Sequence, residues 1–319
     1  MHRGVALAVL LFSLTTTARS EAIRGGVLDH VTDAVLLTSP GKGLCTGVAI
    51  SEDVVLTAAH CFAEDLAAGC ATPYPITRAA PEIAPGTRVF LTDAHDAPRA
   101  IEVVEIVGLD GVDILCGHDI VALRVARPLD VTPLVPRLDR APAIGEGVSV
   151  VGFGEHEPHD KSSTGVRRRR DDARITELGR GTSIARGRST RRDFVVDEGA
   201  CSGDSGGPAL DRSGKILGLM SRGDVDSCSE VTYTRLDHHA VWLRAVVTRS
   251  AAERGVDPPS WAVAPLARPE EPAQEEPSAP PIEEASCAMG TTSRAPSSVV
   301  ALAFALVFGL VSARRARRG

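Results

Sequence analysis

Short runs of branched aliphatic residues, cut by glycine, proline and aspartate, most limit what this chain can fold into. Residues 31–37, 48–50, 54–56, 101–107, 120–125 and 148–151 are such runs, each of strand length and closely spaced. The pattern predicts an all-β fold. Only 3% of the residues are aromatic, so aliphatic side chains must fill the interior. One segment reads differently. Across residues 237–247, Val241, Trp242, Ala245 and Val246 recur at helical spacing and predict a terminal helix packed through that face.

The two ends of the 319-residue chain are set apart from this pattern. Residues 1–22 have the layout of a signal peptide, with Arg3 as the positive start and residues 5–14 as the apolar core. Small residues make cleavage feasible after Ala22, or after Ala18 with residues 19–22 left as a short pro-segment. At the far end an apolar run, 299–311, extends through small residues to 295–313 and meets Arg314, Arg315, Arg317 and Arg318. Its length is near the lower limit for a membrane helix. The arginines would hold its end in the cytoplasm and leave the rest of the chain outside. Residues 251–286 are read as an acidic stalk, because 258–281 are rich in proline, glutamate and alanine and poor in large apolar groups. That leaves residues 23–250 for the folded domain and 287–319 for the membrane-proximal tail.

The formal charge of −6 is divided unevenly. The stalk is acidic, whereas residues 167–170 and 180–192 are strongly basic. Those basic runs lack aromatic residues on which bases could stack. They read as a solvated, mobile loop, and no nucleic-acid partner is expected.

Three separated segments carry the chemistry. Thr57-Ala58-Ala59-His60-Cys61 comes first, then Gly117-His118-Asp119-Ile120, then Gly203-Asp204-Ser205-Gly206-Gly207-Pro208. They supply a base, a carboxylate and a nucleophile. Gly203-x-Ser205-x-Gly207 also fits the nucleophile turn of α/β-hydrolases, but those place an acid and then a histidine after the serine. Here no acid-then-histidine pair in clear motif context follows; the nearest candidates, Asp237 and His238, are adjacent to each other in the expected helix. The order His60, Asp119, Ser205 resembles that of the chymotrypsin/trypsin-like serine proteases. The resemblance spans roughly residues 23–249. Ile23-Arg24-Gly25-Gly26 resembles the mature N-terminus of that family, and Val150-Val151-Gly152-Phe153-Gly154 the strand opening its second barrel. Gly218-Leu219-Met220-Ser221 resembles the strand that substrate pairs with, and Tyr233-Thr234-Arg235-Leu236 the approach to the terminal helix.

The resemblance implies two six-stranded antiparallel β-barrels followed by a helix. It implies a serine endopeptidase acting on proteins or peptides through an acyl-enzyme. His60 would be the base, Asp119 its orienting carboxylate and Ser205 the nucleophile, with the N–H groups of Gly203 and Ser205 as the oxyanion hole. Asp204 would pair with the α-amino group of Ile23 once the chain is cut before it. Ala22 gives a trypsin-like activator no basic residue, so signal peptidase itself is the expected partner there, and Arg24 stands where the family has an apolar residue. Gly199 aligns with the base of the specificity pocket, with Ser221 and Gly223 along one side and Val231 on the opposite wall. An uncharged base and a branched wall imply preference for small apolar P1 residues. Asp197 and Glu198 keep basic P1 residues as the alternative. Arg222 replaces a common aromatic and is expected to reach upstream residues of the substrate.

Of seven cysteines, Cys45–Cys61 and Cys201–Cys228 match family disulfides. Cys70 and Cys116 are read as a third pair with weaker family support, and Cys287 is left over. No cofactor or metal is expected. His156, His159, Glu155 and Glu157 are read as an exposed polar loop rather than a metal site. Ser286-Cys287-Ala288-Met289-Gly290, with the apolar run and arginines behind it, resembles myxobacterial surface-sorting signals. That implies cleavage near Cys287 by a sorting protease and attachment at the cell surface, with a permanent membrane anchor as the alternative. The competing function is an inert protease-fold binding or adhesion module, but such modules lose a catalytic residue or the oxyanion glycine, and this chain has them all.

Overall fold

The computed structural model describes residues 23–32, 34–38, 44–62, 88–91, 99–112, 114–179, 183–184, 187–224 and 226–265. The expected signal peptide, Cys70, most of the stalk, Cys287 and the apolar run near the C-terminus lie outside them. Among the described residues no helix is long and apolar enough to cross a membrane.

The short aliphatic runs become antiparallel strands. After the two-residue β1 (Val27–Leu28) come β2 (Ala34–Thr38), β3 (Leu44–Ala49), β4 (Val54–Thr57), β5 (Arg88–Leu91), β6 (Arg99–Val107) and β7 (Val121–Val125). Strands β2 to β7 close into a barrel in the order β2-β3-β4-β7-β6-β5. Then follow β8 (Gly147–Gly152), β9 (Arg168–Leu178), β10 (Ser183–Ile184), β11 (Gly187–Arg188), β12 (Asp193–Glu198), β13 (Pro208–Leu210), β14 (Ile216–Asp224) and β15 (Ser229–Arg235). Here β8 pairs with both β9 and β13, so β8-β9-β12-β15-β14-β13 curls back on itself. Strand β1 adds to β9, and β10 pairs with β11.

Alternation decides which side chains enter each barrel. Along β6, Ile101, Val103 and Ile106 are buried while Glu102 and Val104 face out, and along β9 Ala173 and Ile175 alternate with exposed Arg174 and Thr176. Val55, Leu123, Val125 and Leu129 complete the first core. Val148, Val150, Phe194, Val196, Val231 and Tyr233 fill the second. A third cluster joins Ile50 and Leu56 to Phe153, Leu210 and Leu219, between the barrels.

The chain ends in a 3₁₀ turn (Asp237–His239), α1 (Ala240–Arg254) and α2 (Ser260–Val263). Helix α1 stops at Gly255, whose left-handed φ of 68° suits glycine. It buries Leu243, Val246 and Val247 against the inter-barrel cluster. Its Ser250 and Arg254 both reach Asp53 of the first barrel.

Four expectations need correction. The buried helix face is displaced, because Leu243 and Val247 point inward, whereas Val241 is 70% exposed. Helices α1 and α2 carry ordered structure to residue 265, so the folded domain runs past 250 into the segment read as stalk. The strand expected over 31–37 begins at Ala34, with Val31 exposed before it. The basic run 167–170 is not a loop: it leads into and opens β9, where Arg167 pairs with Asp29, Arg169 with Asp171, and Arg170 with Asp172 and Glu198. Local carboxylates neutralise the charge, and the strand can continue into the barrel.

Phe194 is fully buried and stacks on Tyr233 with centroids 5.3 Å apart. Its ring lies against Gly218, where an added Cβ would sit 2.6 Å from the ring. Phe194→Ala should lower stability by about 3–5 kcal/mol, read as a reduced denaturant midpoint, because so tight a site cannot collapse to fill the cavity.

Candidate active site between the barrels

His60 lies on the 3₁₀ turn Ala59–Phe62, which leaves β4 at the open end of the first barrel. Asp119 lies on the loop entering β7, and Ser205 on the turn before β13 in the second barrel. The structure brings the three together. His60 Nε2 is 2.9 Å from Ser205 Oγ, and His60 Nδ1 is 2.7 Å from Asp119 Oδ2. The His60 backbone N–H donates to Asp119 Oδ1 at 2.8 Å, and Ser221 Oγ donates to Asp119 Oδ2 at 2.5 Å. Asp119 is buried, while His60 remains partly accessible. Burial works to raise the Asp119 carboxyl. The charge of the His60 ring and the hydrogen bonds from His60 and Ser221 outweigh it and hold the group below the usual carboxylate range. An anion at Nδ1 fixes the imidazole tautomer, leaving Nε2 able to accept the serine proton.

The serine turn is built from glycines that have no substitute. Gly203 has φ +98°, and an added Cβ would come 2.8 Å from Gly154 Cα. Gly206 has φ +83°, and its Cβ would meet Thr57 Oγ1 at 2.2 Å and the Thr46 carbonyl at 2.3 Å. Side chains there are excluded by both conformation and space. The Gly206 N–H donates to the Met220 carbonyl, and the Asp204 N–H to the Cys201 carbonyl. Thr46 of β3 ties this turn to the first barrel. Its N–H donates to the Ser205 carbonyl at 2.8 Å, its Oγ1 donates to the Gly203 carbonyl at 3.0 Å, and the same oxygen accepts from Phe153 N. No motif in the sequence singles out Thr46; adjacency to Cys45 was the one available hint.

The pocket residues are also neighbours. The Gly199 N–H donates to the Cys228 carbonyl, and Cys228 is bonded to Cys201. Gly223 faces Val231, since a Cβ at Gly223 would lie 3.4 Å from Val231 Cα. Val231 is fully buried and pairs with Val196. The Ser221 hydroxyl is directed at Asp119. Arg222 differs from expectation. Its guanidinium turns inward to Asp193 and to Ser221 Oγ instead of outward to a substrate. Glu198 is engaged by Arg170, and Asp197 accepts from the Arg174 N–H.

Cys45 is bonded to Cys61 beside His60, and Cys116 is disulfide-bonded. Cys45, His60 and Cys61 also form the one cluster of potential metal donors among the described residues, but the two sulfurs are joined to each other. His156 faces Asp160 and His159 faces Asp226, so the four-residue polar loop does not converge on one point.

Ile23 and Asp204 both lie inside the second barrel. Ile23 is buried in its core, and Asp204 Oδ1 and Oδ2 accept from Gly154 N and Cys201 N at 2.7 and 2.8 Å. Among the described residues no cation pairs with this carboxylate. Burial raises its pKa to about 7, against the opposing pull of the two amides. The native chain therefore holds a proton there that the unfolded chain releases near pH 4, and stability should fall as pH rises from about 4 to 7. Asp204→Asn should remove that component, which denaturant titrations of both proteins across this range would show. Equal slopes would contradict the assignment.

A sequence model of the family described as Trypsin matches residues 30–243. Granzyme M of Rattus norvegicus is 26% identical over 231 residues, covering 67% of this chain and 84% of its own. Mast cell protease 3 of Ovis aries is 27% identical over 216 residues, covering 63% and 77%. Duodenase-1 of Bos taurus is 25% identical over 272 residues, covering 77% and 97%. Neuropsin, a serine protease expressed in the limbic system of mouse brain, has the same fold, with a TM-score of 0.53 at 20% identity over 68% of this chain and 95% of that one. The matched span carries both barrels and the His60, Asp119 and Ser205 segments, and the chain belongs to the trypsin family of serine proteases.

Proposed function

We propose that this protein cleaves peptide bonds through an acyl-enzyme on Ser205. The observation that carries the reading is the unbroken path Ser205 Oγ to His60 Nε2, then His60 Nδ1 to Asp119. His60 takes the Ser205 proton as Oγ attacks the scissile carbonyl, then returns it to the leaving amine. Asp119 stabilises the imidazolium that forms in between. The N–H groups of Gly203 and Ser205 receive the oxyanion; their neighbours Asp204 and Gly206 have N–H groups already committed to carbonyls.

Cleavage before Ile23 would create an α-amino group able to enter the second barrel and pair with Asp204. The buried, cation-poor setting of that carboxylate supports this. Such a pair would lower the Asp204 pKa and set the turn that carries the oxyanion donors. The sequence of residues 1–22 supports export with cleavage by signal peptidase. The tail around Cys287 and residues 299–318 supports processing at the cell surface, with the catalytic domain outside.

For specificity, Gly199 brings no charge to the pocket base, and Val231 occupies the wall opposite Gly223. The commitments of Glu198 to Arg170 and of Asp197 to a backbone amide weigh against a carboxylate selecting lysine or arginine. Small apolar P1 residues fit best.

Ser205→Ala should abolish peptide hydrolysis and labelling by a fluorophosphonate while the thermal transition stays in place. Retention of full amidase activity would remove Ser205 from the reaction and leave the binding-module reading. With peptides differing only at P1, alanine and valine should exceed phenylalanine and arginine in kcat/KM, by a graded margin of about 1–3 kcal/mol per methylene. Val231→Gly should raise kcat/KM for leucine and phenylalanine relative to alanine. An unchanged profile would mean that Val231 does not line the pocket.

A further inference from the structure

The hydrogen-bonded path through the active site does not end at Asp119. Ser221 Oγ donates to Asp119 Oδ2 at 2.5 Å, Arg222 Nη1 donates to Ser221 Oγ at 3.2 Å, and Arg222 Nη2 donates to Asp193 Oδ2 at 3.3 Å. Arg222 is 8% exposed and Asp193 fully buried. Asp193 opens β12 and is held by the Thr190 N–H on its Oδ2 at 2.8 Å, with its own N–H returned to the Thr190 carbonyl. An ion pair is therefore buried directly behind the catalytic carboxylate, formed by an arginine that stands where the family commonly has an aromatic and that was expected to reach substrate.

A serine hydroxyl has one hydrogen and can donate once, whereas a guanidinium only donates. With Arg222 donating into a lone pair of Ser221 Oγ, the single Ser221 hydrogen must point to Asp119. We infer that Arg222, anchored by Asp193, is a positioning residue of the active site. It fixes the direction in which Ser221 donates, and so holds the carboxylate that orients His60. The inference rests on the serine protease reading of His60, Asp119 and Ser205.

Burial raises the Asp193 carboxyl, against the opposing pull of Arg222. The other titratable groups packed around this path leave Arg222 as the cation joined to Ser221. His118 precedes Asp119 on its loop, and His239 reaches the same loop from the 3₁₀ turn, 3.1 Å from the Gly117 carbonyl. Burial, foremost, holds both imidazoles below their ordinary range, His239 at about 4. Arg192 adds to that effect on both histidines. Arg235 is paired with Asp237. Losing Arg222 removes a positive charge and loosens a donor to Asp119. Both changes make the carboxylate a stronger partner for a protonated His60 while orienting it less well.

The test uses Arg222→Met, Arg222→Lys, Ser221→Ala and the double variant Arg222→Met/Ser221→Ala, with the full chain as secreted. Asp193→Asn/Arg222→Met removes both buried charges together and serves where the single Met variant fails to fold. We expect Arg222→Met to lower kcat about tenfold with little change in KM, because a small misplacement of the base is costly. The acid limb of the kcat/KM profile should move to higher pH, and Arg222→Lys should recover part of both effects. In the Ser221→Ala background, Arg222→Met should change kcat no further. A rise in KM with kcat intact, or additive losses in the double variant, would make Arg222 a substrate contact or a purely structural residue and overturn the inference. If the wild type neither hydrolyses peptides nor reacts with a fluorophosphonate, the protease reading fails instead. The His60 imidazole titration followed by NMR then decides the link separately: an upward shift in Arg222→Met or in the charge-free double variant supports it, and an unchanged titration refutes it.

Discussion

The Asp119 carboxylate is the constraint around which the molecule is arranged. An anion withdrawn from water is tolerated only when hydrogen bonds and an opposing charge replace its hydration. Here the replacement comes from the His60 backbone and ring and from the Ser221 hydroxyl. His60 belongs to the first barrel and Ser221 to the second, so the two barrels must dock for the carboxylate to be satisfied. Docking is reinforced by the apolar cluster that includes Leu56 of the first barrel and Phe153 of the second, and by the three hydrogen bonds of Thr46. The geometry that serves chemistry and the geometry that holds the halves together are the same geometry.

The turn that carries Ser205 shows how little freedom that arrangement leaves. Backbone from Gly154, Thr46 and Val151 approaches the turn so closely that Gly203, Gly206 and Gly207 have no room for a side chain. Asp204 lies between them with its carboxylate turned the opposite way, into the second barrel. The buried carboxylate is thus the inner face of the nucleophile turn. Whatever charge it carries acts on the backbone that presents the oxyanion donors. Among the described residues this carboxylate has two amide partners and no cation, and Ile23 lies in the same core, which is what supports the pairing proposed above.

The all-β class and the three chemical segments were legible from local features: strand-length aliphatic runs, and short motifs whose order is itself informative. What escaped was decided by tertiary contact. The run Arg167 to Arg170 looked like a solvated loop because charge density was read without its partners. Asp29 and Glu198 approach from distant segments, Asp171 and Asp172 from the same strand, and together they let the chain form a strand. The helix face was displaced because Val241 and Ala245 were counted in place of Leu243 and Val247. Only docking against the inter-barrel cluster selects the face. Thr46 was invisible for a related reason, since a threonine in a strand carries no mark of the two carbonyls and one amide it will bind. Arg222 was recognised as unusual, but sequence cannot say which way a long side chain turns, and Asp193 settles that.

The loop that presents Asp119 is held by a buried histidine. A carbonyl can only accept, so His239 Nε2 must carry the hydrogen in its contact with Gly117 O. Burial, with His118, Arg192 and His238 adding to it, holds His239 at about 4, so the ring is neutral through the range in which His60 must also be neutral to act. The unfolded chain protonates this imidazole near pH 6.5, and the native chain only near pH 4. Its contribution to stability is therefore complete above the higher value and lost as pH falls through that window. The cost of protonating His239 in acid comes from burying the charge, and the Nε2–H contact to the Gly117 carbonyl is itself retained. At higher pH, the start of the terminal helix holds the first-barrel loop without adding a positive charge that would compete with His60 for Asp119.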